Sequence, residues 1–527
     1  MAKKIVIIGA GPGGLAASML LSSRGYEVDV YEKQSYLGGR TGSIKKNGFT
    51  FDIGPTFLSM PHIAEELFAA SGRRLSDYLQ LKELKEMYEL VFEDAGIHMT
   101  SDREEMVRRI EEKFPGNGGG YIRFMEDTER KMSALMPILQ SRMDRYRHYL
   151  SWKVIKALPE LSLGKSLYDV LSRYFDSETL RLAFTFQSKY LGMSPWECPG
   201  AFSILSFMEH EYGIYHPIGG LNQLPEAMAK VTREHGGRIH LGKGVKSLWM
   251  EGRDSRGIIL ESGEKVPADE VIINADFAKA MSTILNEGSL KKYKTRKLEK
   301  KKYSCSTFMI YLGLDKQYDL PHHTICFAGD YKRNVEEITK TLSLSGDPSI
   351  YIQNPSATDP TLAPEGKSAL YILAPVPNNF SGVEWDSRQE EFRNLVLDIV
   401  ERKTGFKGLR DHIEFEKIIS PKNWEEDLHV YKGATFNLGH QLSQMMVLRP
   451  HNRFEEAGNT WLVGGGTHPG SGLPTILESA RITAKMILEK DGLQLPSRDW
   501  RRHYENSDYR RRDRRHDNST AAGKRWP

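Results

Sequence analysis

Six residues, Gly9-Ala10-Gly11-Pro12-Gly13-Gly14, follow directly on the apolar run Lys4 to Ile8 and precede a small, apolar helical stretch, Leu15 to Ser23. Three glycines at this spacing suit backbone that wraps a phosphate. Gly9 permits a tight strand-to-helix turn, Gly11 lets backbone approach a pyrophosphate, and Gly14 lets helix and strand pack closely. The helix start adds free N–H groups and the positive end of its dipole. Tyr26 to Tyr31 reads as a second strand, and Glu32 ends it, where a carboxylate can take ribose hydroxyls. The chemistry so described is the holding of a dinucleotide.

Further glycine-rich turns extend the candidate site. Gly38-Gly39-Arg40 follows, with Lys33 before it; paired glycines let backbone lie against a cofactor, and the guanidinium can reach a phosphate or a ring edge. Gly54-Pro55-Thr56 stops the alternating strand Phe49, Phe51, Ile53 close to where a flat ring would lie. Far downstream, Trp461 to Val463 reads as a strand, then come Gly464-Gly465-Gly466, and Gly472-Leu473-Pro474 opens a helix with Pro in its first turn. That helix start could face a ring that gains negative charge on reduction. The one titratable side chain in this loop is His468.

The elements that must position these residues alternate strand and helix, which predicts an α/β fold of Rossmann type. Arg238 to Asp276 has a β rhythm that reads as a meander. Between Tyr303 and Val376, SCSTFMIYLGL, PSIYIQNP and SALYILAPV read as a second, mixed sheet whose apolar and aromatic positions suit a greasy ligand. From Tyr121 to Tyr174 helical patterns mix Met, Tyr and Trp with Arg, as in a lid or a helix lying in a membrane interface. Gly116 to Gly120 reads as a flexible break, and Pro199 to Tyr215 as one apolar helix.

The expected organisation divides the chain into six parts. Residues 1–100, 216–290 and 431–490 form the cofactor domain, in its first, meander and C-terminal parts. Residues 101–215 form the helical, membrane-contacting lid, 291–430 the substrate domain, and 491–527 a basic disordered tail.

The 527 residues exceed one simple core, and 39% hydrophobic with 27% charged residues is ordinary globular composition. The tail from 498 carries net +5, leaving the body at −1, so only the tail has a charge that could draw it to anionic lipid. Cys198, Cys305 and Cys326 show no pairing pattern, which fits a reducing, cytoplasmic setting. No spacing suits a metal, and His322-His323 reads as a surface turn. The N-terminal apolar run is too short for a signal peptide, and no stretch is long enough to span a membrane.

Together GAGPGG with Glu32, LGGRTG, FDIGPTF, the meander and GGGTHPGSGLP resemble the phytoene desaturase family of FAD-dependent carotenoid enzymes, over about residues 4 to 490. YSCSTFMIYLG, HHTICFAGDYKRNVEEI and DPSIYIQNPSATDPTLAPEGKSALYILAP look most like the enzymes acting on C30 precursors. The resemblance implies a glutathione-reductase-like, amine-oxidase-like FAD domain, with Gly9, Gly11, Gly14, Glu32, Gly39, Arg40, Val245 and Gly465 at cofactor-contacting positions. It implies desaturation of a C30 or C40 polyene by hydride transfer to flavin, with oxygen or a quinone as electron acceptor. The expected partners are the polyene and the membrane surface, attached peripherally, and no nucleic acid; the oligomeric state is open. Terminal-methyl oxygenation or isomerisation in the same family is an alternative, as is a flavin-free prenyl-chain carrier on the same fold. The resemblance transfers no catalytic side chain; Glu209, His216 and His468 are the candidate proton acceptors. Glu478 departs from the pattern, since similar enzymes often carry an uncharged residue there.

Overall fold

In the computed structural model, residues 2–285 and 290–496 are described. The tail beyond Pro496, basic and expected to be disordered, lies outside them.

The β-branched run Lys4–Ile8 is buried on both faces, as the centre of a parallel sheet requires. Five parallel strands lie in the spatial order Arg238–His240, Glu27–Tyr31, Lys4–Ile8, Glu270–Ile273, Thr460–Leu462. Segments more than 450 residues apart in sequence thus share one sheet. The helix Pro12–Ser22 crosses it and packs between the helices Leu473–Lys490 and Gln223–Glu234. Asp254–Leu260 is the middle of an antiparallel three-stranded meander with Val245–Glu251 and Lys265–Pro267.

The second sheet has seven strands in the order Ile413–Ile419, Ser306–Leu314, Ser368–Val376, Ile350–Gln353, His323–Cys326, Glu86–Val91, Gly96–Thr100. All neighbours are antiparallel except His323–Cys326 with Glu86–Val91. Ser306–Leu314 is buried at every position. Its Phe308, Ile310 and Leu312 pack with the helix Trp385–Lys403, while Met309 and Tyr311 face Phe49, Phe51 and Trp424.

Several expectations need correction. The strands Glu86–Val91 and Gly96–Thr100, placed with the cofactor domain from sequence, hydrogen-bond into the seven-stranded sheet. Gly118–Gly120 is no break but the first turn of the helix Gly118–Leu139. A Cβ on Gly120 would lie 1.9 Å from the Tyr174 carbonyl oxygen, so the glycine serves close packing. Beyond Leu139 the lid is a chain of short turns and helices, up to Leu167–Leu171. Pro199 to Tyr215 is not one helix: a short turn leads into Ile204–Tyr212, and Ile214–Pro217 is a strand between Leu58–Ser59 and Leu81–Glu83. His322 and His323 are buried, His323 within its strand, rather than in a surface turn. The three cysteines are buried and unbridged.

Candidate functional site

A cavity of about 850 Å³ runs from the glycine turns of the parallel sheet to the underside of the lid. Its polar end is made by the C-terminal ends of the parallel strands, where helix starts converge. Gly9 has φ +98°, and a Cβ there would lie 2.4 Å from the Asn274 carbonyl oxygen. A Cβ on Gly14 would lie 2.3 Å from the Gly9 oxygen, which keeps helix and turn in contact. The helix Pro12–Ser22 has no side-chain cap and no acid in its first turn, so its first N–H groups are open to an anion. Gly38 (φ +100°) donates its N–H to the Ala10 carbonyl at 2.9 Å, joining the two glycine turns. A Cβ on Gly39 would already touch Gly11 Cα at 3.7 Å, so it is the missing side chains that keep the facing backbone of the two turns bare.

Glu32 is buried, and both its oxygens are fixed: Oε2 accepts from Ala10 N at 2.7 Å and Oε1 from Gln34 N at 2.8 Å. Gly9, Gly11, Pro12, Gly13, Glu32, Lys33, Gly39, Arg40, Gly54, Pro55, Thr56, Val245, Gly465, Gly472, Leu473 and Pro474 line the cavity. Ala10, Gly14, Gly38 and Gly466 lie one layer behind it, and a Cβ on Gly466 would meet Phe277 at 2.5 Å. The helix Leu473–Lys490 also starts without a side-chain cap or an early acid.

Sequence reasoning missed the residues that lock these turns together. Asn274 Nδ2 donates to Gly9 O at 3.0 Å. Arg40 Nη2 donates to Asp276 Oδ2 at 2.6 Å, and Asn437, with its amide turned so that both ends are satisfied, bridges the same pair, donating to Asp276 at 2.8 Å and accepting from Arg40 at 2.7 Å. Arg449 is fully buried; Nη2 donates to Gly465 O at 2.6 Å and Leu438 O at 3.3 Å, and Nε to Thr467 O at 3.3 Å. Burial pulls its pKa down to about 9. The Asn274-Ala275-Asp276 run at a strand end was a usable signal; Arg449 left none, because its partners are carbonyls that no side-chain pattern marks.

The other end of the cavity is apolar. Met132, Met136 and Leu139 recur on one face of the lid helix. Alternate positions of the second sheet, Thr307 and Met309, Tyr371, Leu373 and Pro375, form the opposite wall. Glu478 lies on the wall with Arg481 Nε 3.7 Å away, and Arg481 reaches Glu66 at 3.1 Å. Its charge is thus held within an ionic group on the helix packed behind the cavity.

Of the three candidate proton acceptors, only Glu209 lines the cavity. His216 is a correction: its Nε2 is 3.0 Å from Asp359 Oδ2 in the protein interior. His468 is another: its Nε2 meets the Ser141 carbonyl at 2.9 Å, tying the C-terminal loop to the end of the lid helix. Burial lowers the His468 pKa to about 4, so it is a neutral donor. Among the described residues no group of three or more His, Cys, Asp or Glu could hold a metal ion.

A dinucleotide cradle built from three remote segments, opening into an apolar tunnel, defines a flavoprotein that works on a hydrophobic substrate. Residues 12–488 match the family described as flavin containing amine oxidoreductase, and the chain belongs to that family. It is 53% identical to a 4,4'-diapophytoene desaturase (4,4'-diapolycopene-forming) of Methylomonas sp over 488 residues, 93% of this chain and 96% of the relative. It is 31% identical to a 4,4'-diapophytoene desaturase (4,4'-diaponeurosporene-forming) of Staphylococcus aureus, over 92% and 99% of the two chains. Among solved structures it resembles cyclohexylamine oxidase from Brevibacterium oxydans, with TM-score 0.59, 15% identity, and 93% and 100% of the two chains covered, a likeness of fold. The cofactor is FAD, as in the flavin containing family; the bare backbone at Gly11 and Gly39, the two uncapped helix starts and the fixed Glu32 carboxylate fit its pyrophosphate, isoalloxazine ring and ribose.

Proposed function

We propose that this protein is a carotenoid desaturase that converts a linear C30 precursor, 4,4'-diapophytoene, through successive double bonds to 4,4'-diapolycopene. The observation that carries the reading is the single cavity shared by the FAD cradle and a long apolar wall of Met132, Met136, Leu139, Phe186, Leu205 and Met208. The 53% likeness to a 4,4'-diapolycopene-forming enzyme supports both the chain length and the full number of steps.

Bound FAD supplies the two-electron oxidation. The chain's own residues do the rest. Gly9, Gly11, Gly39, Glu32 and Arg40 hold the cofactor at one end, and the apolar wall threads the polyene past it and excludes water.

The lid supports delivery from lipid. Among the described residues no helix is long and apolar enough to cross a membrane. Tyr146, Leu150, Trp152, Ile155, Leu158 and Leu163 are nevertheless exposed, with Arg145, Arg147, Lys153 and Lys156 beside them. An apolar patch edged by cations suits the interface of an anionic bilayer, where the substrate dissolves. The function is tested by expression in hosts that make either C30 or C40 precursors, followed by pigment chromatography. The expected product is a fully conjugated C30 pigment; a colourless extract from both hosts would refute the reading.

A further inference from the structure

The apolar stretch of the cavity holds one carboxylate that neither the FAD cradle nor an ion pair uses. Glu209 sits on the helix Ile204–Tyr212, whose Ile204, Leu205 and Met208 also line the cavity. The residue is 4% exposed. The Tyr88 hydroxyl donates to its Oε2 at 3.0 Å and the Gln187 amide at 2.9 Å, while the Gln187 amide also reaches the Tyr88 oxygen at 3.3 Å. Both donors serve the same oxygen. Among the described residues Oε1 receives no hydrogen bond, and no cation lies within ion-pair distance of the group. One oxygen is therefore anchored and the other left to the cavity.

We propose that Glu209 is the base that takes the proton when a single bond of the polyene becomes double; this rests on the desaturase reading above. The balance is simple. One carbon loses a hydride, one hydrogen with two electrons, to oxidised FAD. The adjacent carbon loses a proton to Glu209, and the electrons of that C–H bond become the new π bond. The carboxylate becomes a carboxylic acid, and its charge also opposes the positive charge that builds on the chain as hydride departs.

The neighbours suit this role. Tyr88 and Tyr351 face the group from the strands Glu86–Val91 and Ile350–Gln353 and stay protonated, since burial raises both phenols. Lys131 of the lid helix is turned to Ser203 Oγ at 2.8 Å. Lys189 also lines this stretch and holds its nitrogen 4.5 Å over the Tyr331 ring. As a cation it would repel a developing carbocation, and as a neutral amine it would offer no charge to stabilise one. Burial raises the Glu209 pKa to about 7, with Gln187 and Tyr88 pulling against it, so the acid can release its proton again near neutrality.

The test uses the FAD-loaded protein. Difference infrared spectroscopy follows the carboxylic C=O stretch against pH, and anaerobic mixing with polyene in detergent follows loss of flavin colour. The expected result is a band in the wild type that titrates near pH 7, is absent in Glu209→Gln, and moves to higher pH in Tyr88→Phe, which loses a donor to the carboxylate. Glu209→Gln should bind FAD as the wild type does and slow flavin reduction by about 10² to 10⁴-fold. Should that variant fail to fold, Glu209→Asp should keep the band and lose roughly tenfold in rate, because its carboxylate is set back by one methylene. Flavin reduction within about threefold of wild type in Glu209→Gln, or its abolition by Lys189→Met instead, would overturn the proposal. A wild type that forms no coloured product would refute the desaturase reading; an active wild type with an unaffected Glu209→Gln refutes this inference alone.

Discussion

Replacing Glu32 probes the cradle where its geometry is most constrained. Both oxygens accept backbone N–H groups, from Ala10 at 2.7 Å and Gln34 at 2.8 Å, and Ala10 is fully buried. Glu32→Ala leaves the Ala10 N–H without its charged acceptor, at a cost of about 1–3 kcal/mol, and loosens the Gln34 turn, where water can substitute. It also removes the acceptor for ribose, and each hydrogen bond to a charged group contributes about 1.5–3 kcal/mol. At 1.4 kcal/mol per factor of ten, loss of one such bond should raise the FAD dissociation constant by about 10- to 100-fold. Glu32→Gln should not rescue it. Whichever way the amide turns, its NH₂ faces one of the two N–H donors, so a nearly isosteric change should weaken FAD binding almost as much as truncation. The assay is titration of deflavinated protein with FAD, read by quenching of flavin fluorescence. If Glu32→Gln binds FAD within about threefold of wild type, the carboxylate is not what holds the turn and the ribose.

Further outcomes follow from the same structure. Truncating Arg449→Met strips donors from the Gly465, Leu438 and Thr467 carbonyls and should cost about 3–5 kcal/mol, seen as protein that purifies largely free of flavin. Acidification should destabilise the fold. Burial lowers the pKa of His210 and His323 to about 3 and of His468 to about 4, and depresses His322 and His440 as well. As pH falls below 6.5 the unfolded chain gains protons that the fold refuses, and each such histidine removes up to about 1.4 kcal/mol per pH unit until its folded pKa is reached. Glu209 and Asp52, raised by burial to about 7 and about 6, oppose this by losing stability as pH rises from the ordinary carboxylate range to those values. The histidines outnumber them, so the melting temperature should drop between pH 6.5 and 5; a flat profile would contradict the neutral-histidine interior. Gly120→Ala places a Cβ 1.9 Å from the Tyr174 oxygen and should destabilise the lid by about 1–3 kcal/mol, measured as faster proteolysis there. Leu150→Ser with Trp152→Ser, both highly exposed, should leave the melting temperature unchanged and reduce flotation with anionic liposomes; unchanged flotation would exclude this patch as the lipid contact.

The second sheet was readable as strands but not as a wall. The continuous apolar run in SCSTFMIYLGL marks a strand buried on both faces, yet which face meets a ligand depends on what packs behind it. Phe308, Ile310 and Leu312 turn to a helix contributed by residues 385–403, leaving Met309 to the cavity. Glu86–Val91 falls within the residues 1–100 expected in the cofactor domain but joins the second sheet, because its partner His323–Cys326 lies more than 200 residues away. Gly120 shows the converse error: a glycine run signals flexibility locally, while here it answers a contact with a distant carbonyl.

By itself the sequence determined the dinucleotide cradle, since a phosphate-binding turn is made by consecutive backbone and needs its glycines in fixed local order. Gly9, Gly11, Gly14 and Glu32 could be read for that reason. Only the tertiary structure decided how the remote pieces close the site: Asp276 and Asn437 on Arg40, Arg449 beneath the C-terminal loop, and the facing that puts Glu209 on the cavity wall while His216 and His468 meet Asp359 and the Ser141 carbonyl instead. Burial and facing are properties of what surrounds a residue, and those surroundings are assembled from segments whose sequence order carries no record of their meeting.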